Sequence, residues 1–72
     1  ELIEAEIAPN TPASGKKVGD LGLSTYGALI GGVVRRGEIL HAHGDTPLQA
    51  GDRVIVFTPT AAEADVRRLL FG

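Results

Sequence analysis

Cysteine, methionine and tryptophan are all missing from these 72 residues. Without cysteine there is no disulfide scaffold and no thiolate metal site. Aromatic residues are scarce, Tyr26, Phe57 and Phe71 being the whole set. No apolar run approaches the roughly 18 residues that a transmembrane helix needs. No basic-then-apolar signal peptide opens the chain. Charge of either sign is modest: the net charge is −2, which argues against a nucleic-acid binder held by charge.

What is present is a folding composition. Hydrophobic residues make up 43% of the chain, so it is not a disordered tail. Ten Gly and four Pro punctuate it densely, which predicts short elements. A domain of this size buries only about 60–65% of its unfolded surface and gains from association with a partner. Lacking Met and opening on Glu1, residues 1–72 read as one module of a larger protein, and as one that self-associates.

Hydrophobic periodicity predicts the elements. In Leu2–Ala8, Ile3, Ala5 and Ile7 share one face and Glu4 and Glu6 the other, which is a half-buried strand. Pro9 and Pro12 end it. Ser14 can cap a short helix that buries Val18 and Leu21. Ala28–Val34 is continuously apolar, as in a strand covered on both faces, and Gly31-Gly32 inside it predicts a bulge or a close backbone approach.

Arg35-Arg36-Gly37-Glu38 predicts a tight turn into a strand over Ile39–His41. Arg53–Phe57, rich in β-branched residues, is the clearest strand. Thr60 and Glu63 fit a capping box for a helix over Ala61–Phe71, whose apolar stripe is Val66, Leu69 and Leu70. The expected fold class is α+β: a small mixed sheet of about four strands with a short helix and a C-terminal helix, in two layers.

Few residues suggest chemistry. Gly15-Lys16 lacks the rest of a phosphate loop, and Gly27–Gly32 is no dinucleotide fingerprint. Ser14 and Ser24 have no nucleophile motif around them, so an enzyme has little support. His41-Ala42-His43 places two imidazoles two residues apart, facing the same way if the segment is a strand, with Asp45 nearby. Two His without a firm third ligand fall short of a metal site, so a solvated edge or a binding-surface pair is the favoured reading. Arg35-Arg36 offers planar forks suited to a phosphate or carboxylate, set against a plain solvated hairpin turn. Asp52, after Gly51, reads as a turn residue bonding local backbone.

Taken in order, these segments resemble a known family. Thr11-Pro12-Ala13-Ser14-Gly15-Lys16, then Leu21, then the apolar strand ending at Arg35, is similar to the TrkA C-terminal domain, also called the RCK C-terminal domain. So is the later run Gly44-Asp45-Thr46, Leu48-Gln49-Ala50-Gly51-Asp52, Arg53–Phe57. The likeness spans about Leu2 to Leu70. Two places depart from it: Gly31-Gly32 replaces a bulkier apolar pair, and Ala42-His43 stands where Pro-Asp or Pro-Asn is common.

The resemblance implies a cytoplasmic regulatory module of potassium uptake systems, channels or cation/proton antiporters. It implies a homodimer, a membrane-embedded transporter or channel subunit as partner, and in some members cyclic di-AMP at the dimer interface. It brings no cofactor, because NAD and ATP belong to a Rossmann-like domain that these residues do not contain. Carried over residue by residue, the candidate ligand surface is Leu29, Ile30, Val33, Arg35 and His41. Arg36 and His43 join it from the reading of the arginine and histidine pairs. A structural assembly domain that binds nothing is the alternative.

Overall fold

The computed structural model describes all the residues, Glu1–Gly72. Its first strand, β1 (Leu2–Glu6), follows the predicted alternation: Ile3 is buried while Leu2, Glu4 and Glu6 are exposed. β2 (Leu29–Arg35) and β3 (Glu38–Leu40) form a hairpin on the two-residue turn Arg36-Gly37. Both turn residues have positive φ, 54° and 80°, the mirror-image turn whose twist suits paired strands. Gly37 adopts that conformation freely, whereas Arg36 does so at a cost. β4 (Arg53–Phe57) is followed by a 3₁₀ turn at Thr60–Ala62 and the helix α1 (Glu63–Phe71).

The sheet order is β1-β4-β2-β3, and every pairing is antiparallel. A mixed sheet was expected. β1 and β2 do run the same way, but β4 lies between them and opposes both, so no parallel pair forms. Across the register, Ile3, Val54, Val56 and Val33 fall on one face and are fully or almost fully buried. Val66 and Leu70 of α1 join them in the core, with Ile7, Ala13, Leu21, Leu23 and Leu48 from the connections. Each of the Val, Leu and Ile side chains among them contributes about 1.5–3 kcal/mol by leaving water. The opposite sheet face carries Leu2, Leu29, Ile39 and Phe57, all exposed, beside a Glu4–Arg53 ion pair.

Three local expectations give way to other contacts. No short helix starts at Ser14: the chain makes only 3₁₀ turns at Val18–Asp20 and Leu23–Tyr26. Gly15 is left-handed, and the backbone around Lys17 pairs with the later loop at Pro47, consuming donors a helix would need. Thr60 does not cap α1, because the 3₁₀ turn sets it a turn upstream and leaves Ala62 at the cap. Glu63 instead accepts a hydrogen bond from Arg67 at 2.8 Å, and with Asp65 it places negative charge in the first helical turn.

The glycine pair behaves as its sequence suggests. The β2–β4 register shifts between Ile30 and Gly32, which is the bulge. The Phe57 ring lies where a Cβ on Gly31 would have to sit. β3 pairs with β2 only over Val33–Arg35, so the Leu29–Gly32 half of that edge has no strand partner, and the chain past Leu40 swings away.

Candidate functional site

The space opened by that divergence is a groove. One end is a cavity of about 290 Å³ between Val18, Gly19, Leu23, Ala28, Leu29 and Ile30 on one side and Ala42, His43 and Gly44 on the other. The next is a cavity of about 220 Å³ lined by Ile30, Gly31, Gly32, Ile39, Leu40, His41 and Ala42. Ile30 and Ala42 belong to both, so the two are halves of one trough. Its floor is apolar and its rim carries two exposed imidazoles. Beyond Ile39 and Leu40 a smaller hollow of about 170 Å³ is lined by Arg35, Arg36 and Glu38.

The structure brings together four of the sequence-predicted residues. Leu29 and Ile30 form one wall, and His41 and His43 the other. The two histidines do not face one point: strand pairing stops at Leu40, and each ring borders a different half of the trough. No group of three His, Asp or Glu side chains comes together that could hold a metal ion. His43 is set by its backbone, whose N–H donates to Thr46 Oγ1 at 2.9 Å while its carbonyl accepts from the Thr46 N–H at 3.0 Å.

Val33 requires a correction. It is fully buried in the core and lines none of these hollows, because the bulge at Gly31 turns it inward against Val54. Arg35, two residues on, follows it to the same face. There its Nε and Nη2 donate to the two carboxylate oxygens of Asp52 at 2.8 and 2.7 Å, and Nη2 also reaches the Pro47 carbonyl at 2.9 Å. Only Nη1 of Arg35 carries no hydrogen bond within the chain. Arg36 is exposed in the turn and makes no ion pair.

Asp52 is the only charged side chain that is fully buried. The Arg35 fork holds its carboxyl below the usual carboxylate range, against the opposing effect of burial, and the Gln49 N–H at 2.9 Å adds to the stabilisation. The same contact raises the Arg35 guanidinium. The Gly-Asp turn signal led only to the Gln49 bond. Alternation places Arg35 on the same side as Val33, but that side is the interior only because of the bulge at Gly31, so the partnership with Asp52 had no plain local signal. The contribution of Val18, Leu23 and Ala28 to the groove had no sequence signal, since it depends on how the 3₁₀ turns lie against β2.

Comparison with known proteins agrees with this architecture. The family model for the TrkA-C domain matches residues 2–70. The Trk system potassium uptake protein TrkA of Azorhizobium caulinodans is 39% identical over 69 residues, covering 96% of this chain and 14% of that protein. A TrkA homolog from Archaeoglobus fulgidus is 35% identical over 72 residues, covering 100% of this chain and 16% of that one. The chain thus spans about one-seventh of the length of these relatives.

Among solved structures, an RCK domain with cda superposes with a TM-score of 0.77 at 22% identity, covering 96% of both chains. The RCK_C domain dimer of S. agalactiae BusR in complex with c-di-AMP superposes with a TM-score of 0.76 at 17% identity, covering 94% of this chain and 93% of that one. No helix here is long and apolar enough to cross a membrane.

Proposed function

The chain belongs to the TrkA-C domain family, and on that footing we propose that it is a regulatory, ligand-binding and dimerising module of a potassium or cation transport protein. The observation that carries this reading is the groove along the unpaired half of β2. It combines an apolar wall at Leu29 and Ile30 with a polar one at His41 and His43. A flat nucleobase fits the first, and an anionic phosphate fits the second, with Arg36 and Arg35 Nη1 available at the hairpin end. Cyclic di-AMP has both parts, and the BusR domain with this fold is a dimer in complex with it.

A second copy of the domain completes the site. Leu29 is 58% exposed and Ile39 81% exposed, on strands that border the groove. Covering them removes apolar surface from water and encloses whatever lies in the trough. The partner downstream is a membrane-embedded transporter or channel subunit on the cytoplasmic side, in keeping with the relatives' role in potassium uptake. Control is a population shift: a ligand held by both copies favours one dimer geometry, which the membrane part reads. A coupling of about 1–3 kcal/mol gives a 5–150-fold response.

Calorimetric titration with cyclic di-AMP tests the ligand, alongside sedimentation for the dimer. Saturable heat that weakens in Ile30→Asp and His41→Ala is the expected result. Absence of heat at about 1 mM, the affinity worth only ~4 kcal/mol, rejects this ligand. The exposed apolar face also suits an assembly domain that binds nothing. A dimer whose affinity is the same with and without ligand would favour that second reading.

A further inference from the structure

A buried carboxylate is expensive unless it is fully partnered, and a simple turn before a strand does not require one. Asp52 nevertheless sits 1% exposed in the last turn before β4. Its oxygens take the Arg35 fork and the Gln49 N–H, and Arg35 in turn holds the Pro47 carbonyl. One carboxylate therefore ties the end of β2 to both the middle and the end of the loop 43–52.

That loop is also stitched, on its other side, to the segment after Gly15. The Val18 N–H donates to the Thr46 carbonyl at 2.9 Å and the Gly19 N–H to the Gly44 carbonyl at 2.8 Å. Leu48 donates to the Lys16 carbonyl at 2.9 Å. The rung at Gly19 holds Gly19 directly against Gly44, and both line the larger cavity together with Val18 and His43. The cavity's width is thus set by where the loop stands, and the loop is clamped from behind by the ion pair.

We infer that Asp52 is a positioning residue for the groove: through Arg35 and Pro47 it fixes the loop that brings His43 and Gly44 against Val18 and Gly19, without itself lining the cavity. A buried ion pair is a poor source of net stability compared with an apolar pair of similar size, and the one here joins the end of β2 to the loop at Pro47 and Gln49. The ligand arm of this inference rests on the groove reading proposed above; the loop arm does not.

The test separates positioning from stability. Asp52→Asn and the paired apolar variant Asp52→Leu with Arg35→Met are compared with the unmodified protein by amide hydrogen exchange and by cyclic di-AMP titration. The apolar pair keeps the overall unfolding midpoint near that of the unmodified protein. In both variants the Val18, Gly19 and Leu48 amides exchange about tenfold faster while the paired amides of β1 and β4 do not. Cyclic di-AMP then binds about tenfold more weakly in Asp52→Asn, in which every lining residue, Arg35 included, is intact. An apolar pair that binds as tightly as the unmodified protein overturns the inference, as does protection lost evenly across the sheet. If the unmodified protein binds no cyclic di-AMP, the proposed ligand falls and Asp52 is judged on the exchange pattern alone.

Discussion

The Phe57 ring occupies the space that any side chain on residue 31 would need. Gly31 is therefore required by crowding, not by backbone conformation, since its φ is not among the positive ones. The family's bulkier residue at this place cannot coexist with a phenylalanine lying in this position. Gly31→Ala should destabilise the fold by about 1–3 kcal/mol, the usual cost of overpacking. Adding Phe57→Leu should recover most of the loss. Urea unfolding of the single and double variants checks this, and additive losses would show that the two residues do not compete for space.

Acid should loosen the protein through Asp52. Its folded-state pKa is depressed by the Arg35 fork, so the unfolded chain binds the proton more readily. The stabilisation is present in full above the unfolded value, about 3.9, and disappears as pH falls through the lower folded value. Asp52→Ala leaves Arg35 without its partner and should cost roughly 3 kcal/mol. Thermal unfolding between neutral and strongly acidic pH should show a steep acid limb that flattens in Asp52→Asn.

The surface pair offers a contrast. Glu4 and Arg53 meet at 2.8 Å but are each about half exposed, at 45% and 51%. Solvent screening leaves such a pair about 0–1 kcal/mol. Glu4→Gln should change the unfolding midpoint little, and a loss as large as that of Asp52→Ala would contradict the argument that burial sets the Asp52 pair apart.

Arg36 holds a left-handed conformation, φ 54°, in a turn that favours Asn-Gly. Arg36→Asn should raise stability by about 0.5–1 kcal/mol. If Arg36 contributes cationic charge to the groove's end, the same change should weaken cyclic di-AMP binding and reduce its dependence on salt. Denaturation and titration of one variant thus move in opposite directions.

Leu29→Lys and Ile39→Lys put charge on side chains already in water. The monomer's unfolding should shift by under about 0.5 kcal/mol, as for ordinary surface changes. Dimerisation, followed by sedimentation, should weaken about tenfold or more. A dimer indifferent to both would place its interface elsewhere.

The strands and the C-terminal helix are legible because alternation in Leu2–Ala8 and the β-branched run at Arg53–Phe57 admit few other readings. The helix stripe at Val66 and Leu70 is equally plain. The caps and short helix are not, because Lys17 and Thr60 respond to distant backbone at Pro47 and to the 3₁₀ turn at Thr60–Ala62. The site is half legible. Leu29, Ile30 and His41 enter through the family resemblance and His43 through the histidine pair, while the one-residue bulge that Gly31-Gly32 suggests reverses which way Val33 and Arg35 face, and the pattern does not say where in the pair it falls.

The antiparallel pairing of β1 with β4 joins Leu2 to Phe57. A nascent chain therefore makes its first strand long before that strand has anywhere to go. The hairpin of β2 and β3 can form as it leaves the ribosome, but β1 must wait for synthesis to pass Phe57, some seconds at about 5–20 residues per second. During that interval Leu2, Ile3 and Ile7 are sticky and unpaired. The last strand made is the one that rescues the first, so truncation within Arg53–Phe57 removes a central strand and strands β1 as well.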